Sequence, residues 1–88
     1  MNFGDVIVEL KAGKAVARGG WNGKGMFVYL VPAGAYPART GVALAFFGQE
    51  AVPYNPYMAI KNVDGTVSTW VPSVNDCLAE EWQEVPIK

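Results

Sequence analysis

The chain has 88 residues, of which 51% are hydrophobic and 17% are charged, and its formal net charge is -1 at neutral pH. This length suits one domain over residues 1–88, and the composition is far from that of a disordered chain. The seven lysines and arginines are scattered, so the basic stripe that a nucleic-acid polymer requires is missing. There is no histidine and only one cysteine, which excludes an intrachain disulfide and argues against an imidazole or thiolate metal site. We therefore expect no nucleic-acid polymer as a partner, no metal and no cofactor.

The opening residues "MNFGDVIVEL" carry acids and no basic leader, and no apolar stretch approaches the roughly 18 residues that a membrane span requires. We expect a soluble protein that stays in a cytoplasm and makes no contact with a membrane. The single cysteine, Cys77, lies among expected helix residues, and we predict that it is a small buried hydrophobe and not a nucleophile. So large an apolar fraction is hard to bury in so small a monomer. This favours burial between subunits over a single-chain core.

The stretch "NFGDVIVELKAGK" predicts a helix with both ends marked. Asn2 suits the N-cap, Asp5 suits the positive N-terminal end, and Gly13 suits the left-handed stop. An apolar stripe at helical spacing is expected to contact the core: Phe3, Val6, Ile7 and Leu10. The alternation in "KAVAR" then predicts a short strand.

A stronger strand and an ambiguous centre follow. "GMFVYLVP" is dense in aromatic and β-branched residues until Pro32, which predicts a strand that ends there. Prolines and glycines divide residues 33–56 into short pieces, and "GVALAFFG" suits either a helical turn or a strand. Because Phe46 and Phe47 are apolar residues in a loop-like segment, we expect this segment to pack on something, such as a neighbouring subunit.

The stretch "YMAIKNVDGTVSTWV" predicts a β-hairpin around a two-residue turn, Asp64-Gly65. In that register the more apolar face carries Met58, Ile60, Asn62, Val67, Thr69 and Val71. The opposite face carries Tyr57, Ala59, Lys61, Ser68 and Trp70. This second face offers an aromatic ring, a cation and a hydroxyl, which suits either solvent or a ligand.

A second helix is predicted in "PSVNDCLAEEW". Ser73 suits the N-cap, and Asp76 occupies the capping-box position three residues later. "EWQEVPIK" predicts the last strand. The sequence therefore predicts an α+β fold, a small antiparallel sheet with an N-terminal helix and a short helix in the C-terminal half.

Catalysis has weak support in the sequence. Most acids are expected on the first helix, in the hairpin turn or along a solvated edge: Asp5, Glu9, Asp64, Glu80, Glu81 and Glu84. Only Asp76 has a setting that could aim it into a pocket, and one acid is thin support for an enzyme. The stretch "GGWNGKG" is rich in glycine but lacks the spacing and the Ser/Thr of a Walker phosphate loop.

Binding of a small ligand fits the sequence better. Trp21 and Trp70 offer flat faces for a purine, and Asn22 offers both hydrogen-bond donors and acceptors. The helix-capping pair could accept hydrogen bonds from sugar hydroxyls. For these side chains core packing, a turn and simple capping remain the alternatives. The candidate ligand-binding residues are Trp21, Asn22, Lys61, Trp70, Ser73 and Asp76.

Two stretches of the sequence carry a resemblance to a known family. The basic residue Arg18 and one glycine precede "GWNGKGMF", and the later "DG" hairpin ends in a tryptophan before a spaced "S…D.LAEEW". Together these motifs resemble the second class of Thoeris anti-defence proteins, a family of small phage proteins, over nearly the whole chain apart from residues 33–56. Two positions depart mildly from the usual pattern. Asn75 stands where a threonine or small residue is usual, and Glu81 stands where an aspartate is usual.

The resemblance implies a protein that sequesters an immune signal in the cytoplasm of an infected bacterium. The signal is a cyclic ADP-ribose isomer, glycocyclic ADP-ribose, which would be held without cleavage, so that the Thoeris effector is not activated. Some relatives also hold cyclic oligonucleotides at separate sites. The resemblance further implies a homotetramer whose ligand pockets are shared between subunits. An enzyme that cleaves the signal and a structural phage protein without a nucleotide ligand are the alternatives.

Overall fold

The computed structural model describes residues 1–21 and 24–87 of the chain. These residues form three α-helices and seven strands, and one turn of 3-10 helix, Gly19–Trp21, follows the first strand. The helices are α1 (Phe3–Lys11), α2 (Gly41–Phe47) and α3 (Val74–Leu78). The strands are β1 (Ala15–Arg18), β2 (Phe27–Val31), β3 (Gly34–Pro37), β4 (Ala51–Tyr54), β5 (Tyr57–Lys61), β6 (Val67–Thr69) and β7 (Trp82–Val85).

The main body of the fold is a five-stranded antiparallel sheet with the order β6-β5-β2-β1-β7. The helix α1 packs against β1, β2 and β7, and α3 packs against α1. The core between sheet and helices contains five buried side chains: Val6, Leu10, Val16, Val28 and Trp82. The predicted α+β class, with its antiparallel sheet, N-terminal helix and short later helix, is confirmed.

Both ends of α1 follow the sequence signals. The Asn2 side chain accepts from the Asp5 backbone N–H at 2.9 Å, and the Asp5 carboxylate accepts from the Asn2 N–H at 3.2 Å. This reciprocal pair satisfies two backbone donors that the first helical turn leaves free. The residue Gly13, with φ of 83°, follows the C-cap Ala12, as predicted.

The hairpin between β5 and β6 differs from the predicted register by one residue. Ile60 pairs with Ser68, so three residues rather than two form the turn. The carboxylate of Asp64 accepts from both the backbone N–H and the hydroxyl of Thr66, and Gly65 adopts φ of 90°. These contacts favour a three-residue turn with a left-handed glycine, a common alternative to the two-residue turn.

This shift moves Trp70 to the opposite face of the sheet from the one predicted. Its backbone N–H donates to the carbonyl of Met58 at 2.8 Å, and its side chain packs against the core together with Met58 and Ile60. A one-residue slip exchanges the two faces of a strand, because side chains alternate with a period of two. The prediction that Trp70 shares the face of Lys61 was therefore wrong.

The ambiguous centre of the sequence forms a separate arm, which comprises residues 34–54. Strands β3 and β4 pair with each other in a two-stranded sheet and flank α2, which the Thr40 side chain caps. The segment "GVALAFFG" is thus helical, and the two short strands beside it were not predicted. The radius of gyration is 15.6 Å, against about 12 Å for a compact domain of this length. Five large apolar side chains of the arm are exposed: Tyr36, Val42, Leu44, Phe46 and Tyr54.

Two further expectations concern single features. Cys77 is exposed, so the prediction that it is a buried hydrophobe was wrong. The helix α3 has only five residues and turns Cys77 away from the core, a direction that the sequence pattern of so short a helix does not fix. Within residues 1–21 and 24–87, no helix has the length and apolar character needed to span a bilayer.

The best-connected core side chain is Trp82, the first residue of β7, which is 2% exposed. Its ring lies 5.5 Å from that of Trp21, 6.0 Å from Trp70 and 5.8 Å from Phe3. Its indole N–H donates to the backbone carbonyl of Asp76 at 2.9 Å. Three aromatic contacts and a hydrogen bond from one buried side chain hold β7, α1 and α3 together.

We predict that Trp82→Phe destabilises the fold by about 1 to 3 kcal/mol, because it leaves a cavity and removes the donor of the Asp76 carbonyl. Urea unfolding followed by circular dichroism measures this loss. Leu78→Ala is the control, since Leu78 is 75% exposed and should change stability little. Equal stability of the Trp82→Phe variant and the wild type would contradict the role given to this side chain.

Candidate functional site

The candidate site is built around the glycine-rich loop, residues 19–26, which connects β1 to β2. It begins with the 3-10 turn Gly19–Trp21 and ends at Met26, before Phe27 enters β2. Residues 22 and 23 lie outside the described residues, and with them the predicted ligand-binding residue Asn22. The position of Trp21 in the loop is therefore described, and that of its neighbour is not.

Three side-chain and backbone contacts hold the two ends of this loop. At its start, the N–H of Gly20 donates to Oε2 of Glu81 at 2.9 Å, and the N–H of Gly19 donates to the Glu81 backbone carbonyl at 2.9 Å. At its end, the ammonium group of Lys61 donates to the carbonyl of Gly25 at 3.0 Å. A carboxylate thus accepts from the loop's backbone at Gly20, and an ammonium group donates to its backbone at Gly25.

Arg18, the last residue of β1, forms an ion-pair network with two carboxylates. Its Nε donates to Oε1 of Glu81 at 2.8 Å, and its Nη1 donates to Oδ1 of Asp76 at 3.1 Å. The hydrogen bond to Glu81, followed by the one to Asp76, raises the pKa of Arg18. The backbone N–H of Gly20 lowers the pKa of Glu81, and Arg18 lowers it further. All three groups are consequently ionised at neutral pH.

The start of α3 is a capping box, as the sequence predicted. The N–H of Asp76 donates to the Ser73 hydroxyl at 3.0 Å, and the N–H of Ser73 donates to Oδ2 of Asp76 at 2.9 Å. Burial acts to raise the pKa of Asp76, but the hydrogen bonds from Ser73 and Arg18 outweigh it, and the pKa is lowered. Each carboxylate oxygen already has one partner and keeps one lone pair. Capping by Ser73 and Asp76 is confirmed, and their contact with a ligand stays a prediction.

A depression of about 420 Å³ lies between the glycine-rich loop and the strands β1 and β7. Its lining includes Arg18, Trp21, Lys24, Gly25, Phe27 and Gln83. We call it the loop depression. Small-molecule sites usually have volumes of about 300 to 1,000 Å³ and bury most of the ligand. The loop depression is large enough for part of a nucleotide, but it is open, so one chain leaves much of such a ligand in solvent.

The structure separates the predicted site residues into three groups. Trp21 lines the loop depression while its ring packs on Trp82 in a near-perpendicular arrangement. Lys61 contacts the far end of the loop, and Asp76 is connected to the depression through Arg18. Trp70 and Ser73 are not among the residues that line it, and Trp70 packs on the core instead.

Arg18 and Glu81 are the site residues that sequence analysis missed. Glu81 was expected on a solvated edge; it is exposed, yet it bonds to both Arg18 and Gly20. The two residues are 63 positions apart and meet only because β1 and β7 pair, with Arg18 opposite Trp82. No local pattern reveals such a pair. Among the described residues, no group of three or more acidic, cysteine or histidine side chains could hold a metal ion.

Comparison with known proteins gives this small α+β protein its family. The model of the Thoeris anti-defense 2-like domain matches residues 1–85, which is nearly the whole chain. The chain therefore belongs to this family, and it is a phage anti-defence protein directed against Thoeris. It is similar to Thoeris anti-defense 2 of Bacillus phage SP01, with 39% identity over 85 residues that cover 97% of this chain and 94% of the relative. The family suggested by the sequence motifs is confirmed.

The network of Arg18, Glu81 and Asp76 predicts a loss of stability in acid. Both carboxylates have pKa values below their usual ones in the folded state, because of Gly20, Ser73 and Arg18. The unfolded chain therefore takes up protons first as the pH falls. The stability contributed by the network is complete above about pH 5 and is lost as the pH falls through the folded-state values.

The test compares melting temperatures of the wild type and Glu81→Gln between pH 7 and pH 3. We expect the wild type to be the more stable at neutral pH, and the difference to shrink as the pH falls below about 4.5. A difference that stays constant down to pH 3 would show that the ionised Glu81 carboxylate adds nothing to stability.

Proposed function

We propose that this protein binds glycocyclic ADP-ribose, a cyclic ADP-ribose-type signal, in the loop depression and sequesters it without cleavage, so that the Thoeris effector is not activated. The observation that carries the proposal is the position of Trp21. This large aromatic side chain lies at the wall of a ligand-sized depression, beside cations. A signal of this class contains an adenine ring and two phosphate groups, which require an aromatic face and positive charge.

The side chains around the depression match both parts of such a ligand. Stacking of a base on an aromatic ring contributes roughly 1 to 3 kcal/mol, and Trp21 and its neighbour Asn22 would recognise the base. Lys24 lines the depression, and Lys61 keeps two N–H donors beyond the one given to Gly25. The charge of Arg18 is already balanced by two carboxylates, so the lysines are the better partners for phosphate.

The state of the acidic groups supports binding without cleavage. A general acid must be protonated at the working pH. Asp76 and Glu81 have lowered pKa values and are bonded to Arg18, so both are ionised at neutral pH. The sequence contains no histidine that could take their place. These facts argue against general acid catalysis by Asp76 or Glu81, and to that extent they support sequestration over the alternative, an enzyme that cleaves the signal.

Tight sequestration needs an enclosed ligand, and a second copy of the chain can supply the enclosure. A nanomolar dissociation constant corresponds to about -12 kcal/mol, whereas about 35 ligand atoms at roughly -0.3 kcal/mol each yield about -10. The arm exposes apolar side chains, with Val42 83% and Phe46 81% exposed. We propose that the arms pack on neighbouring copies in a homotetramer, in the cytoplasm of the infected host, and that the pockets are shared.

The decisive experiment follows the fate of the ligand. The protein is mixed with glycocyclic ADP-ribose and filtered, and the filtrate is analysed by mass spectrometry before and after heat denaturation. We expect the ligand to disappear from the first filtrate and to return with unchanged mass in the second. A cleaved product in the second filtrate would identify an enzyme, and free ligand in the first would identify a protein that does not bind it.

Two variants of Trp21 assign the binding to the loop depression. Trp21→Ala should weaken binding of glycocyclic ADP-ribose by at least about ten-fold, whereas Trp21→Phe keeps an aromatic face and should lose less. Circular dichroism checks that both variants fold. If Trp21→Ala unfolds while Trp21→Phe binds normally, the tryptophan serves the core and not the ligand.

The double variant Val42→Glu, Phe46→Glu tests the proposed assembly. Charges on the exposed apolar side of α2 should reduce the mass measured by light scattering, because they cannot be buried in an apolar interface. The control is Val8→Glu, on the exposed side of α1, which should keep the wild-type mass. A monomeric wild type at micromolar concentration, or an unchanged mass of the double variant, would contradict an interface through the arm.

A further inference from the structure

We propose that Glu81 is a positioning residue for the glycine-rich loop, and that together with Lys61 it holds the two described ends of the loop, residues 19–21 and 24–26, in place before a ligand arrives. The consequence for ligand affinity rests on the proposed function. The ordering of the loop in the ligand-free protein does not, and it can be tested by itself.

Glu81 makes three separate contacts at the start of the loop. Its two carboxylate oxygens bond to different groups, Oε2 to the N–H of Gly20 at 2.9 Å and Oε1 to Nε of Arg18 at 2.8 Å. Its backbone carbonyl accepts from the N–H of Gly19 at 2.9 Å. Since Arg18 also bonds to Asp76 in the first turn of α3, the 3-10 turn that carries Trp21 is connected to both β7 and α3.

The glycines of the loop lie where these side chains come close to its backbone. A Cβ atom added at Gly19 would lie 2.9 Å from Nε2 of Gln83, and one added at Gly20 would lie 3.2 Å from Oε2 of Glu81. Both distances are shorter than ordinary van der Waals contact. The missing side chain at Gly20 therefore allows the Glu81 carboxylate to reach the backbone N–H group directly, and the one at Gly19 leaves room for Gln83.

The far end of the loop is held by a group of opposite charge. Lys61 extends from β5, which pairs with β2, and its ammonium group donates to the carbonyl of Gly25, a residue with φ of 80°. The carboxylate at the N–H of Gly20 and the ammonium group at the carbonyl of Gly25 each match the backbone dipole that they face. Hydrogen bonds to charged groups are roughly twice as strong as neutral ones.

A glycine-rich segment loses much conformational entropy when it is ordered. If the loop sampled many conformations, only the fraction with Trp21 in place would bind, and the measured affinity would fall in proportion. The contacts of Glu81 and Lys61 raise that fraction in the free protein. Glu81 thus affects binding through the backbone of the loop, without touching the ligand.

The test uses Glu81→Gln, which keeps the shape of the side chain but replaces one of its two acceptor oxygens with an NH₂ group. One of the two donors, Arg18 or the N–H of Gly20, then loses its acceptor. Its matched control is Glu84→Gln in β7, the strand that Glu81 precedes, because Glu84 also forms an exposed ion pair, with Lys14 at 3.3 Å. Amide hydrogen exchange is followed by NMR in the ligand-free proteins. The affinity for glycocyclic ADP-ribose is measured by calorimetry.

We expect exchange at Gly19 and Gly20 to become about ten-fold faster in Glu81→Gln, with a smaller change at the indole N–H of Trp82, which follows the loss of global stability alone, and the affinity to fall by about ten-fold. Glu84→Gln should match the wild type in both measurements. Glu81→Asp, which is one methylene shorter and cannot reach Gly20 and Arg18 together, should also speed exchange in the loop.

Unchanged exchange at Gly19 and Gly20 in both Glu81 variants would overturn the proposal. So would exchange that becomes faster by the same factor throughout the protein, including Trp82, because it would reveal a general structural role. Faster loop exchange with unchanged affinity would equally reject positioning for binding. If the wild type does not bind glycocyclic ADP-ribose, the proposed function fails, while the exchange data still decide whether Glu81 orders the loop.

Discussion

The burial of Trp82 is the interaction on which the rest of the structure depends. Its ring contacts the aromatic side chains of α1, the glycine-rich loop and the segment after β6, and its indole N–H bonds to α3. Its backbone N–H and carbonyl both bond to Met1, which brings the start of α1 against β7. The residues next to it in sequence and across the sheet, Glu81 and Arg18, form the ion-pair network. The candidate site is therefore the polar rim of an aromatic cluster.

This arrangement explains why a tryptophan occurs in the most flexible-looking stretch of the sequence. The ring of Trp21 packs on Trp82 and so belongs to the aromatic cluster. This contact restrains one end of a loop whose glycines do not favour any single conformation. Polar contacts restrain the same loop at two further residues, Gly20 through Glu81 and Gly25 through Lys61. Apolar and charged interactions thus restrain a segment that has little intrinsic preference for one conformation.

How far the sequence predicts this molecule depends on the range of each interaction. The capping boxes at Asn2 and Ser73 could be predicted because each involves residues three positions apart. The predicted length of the turn at Asp64 was wrong by one residue, because the hydrogen bond between its carboxylate and Thr66 favours the longer turn. In the arm, the prolines and the short length of the strands leave no clear sequence signal for the pairing of β3 with β4. The role of Glu81 depends on the pairing of β1 with β7, which no local pattern encodes.

The strand order also has a consequence for how the protein forms in a cell. The β1 strand lies between β2 and β7, and β7 is synthesised last of the five. The strands β2, β5 and β6 can pair with one another without β7, but the contact of α1 with Trp82 forms only after β7 has left the ribosome. Met1 and Trp82 are 81 positions apart, so this final step closes a loop of almost the whole chain. Glu81 emerges at the same moment, so its bonds to Gly20 and Arg18 cannot form before the core can be completed.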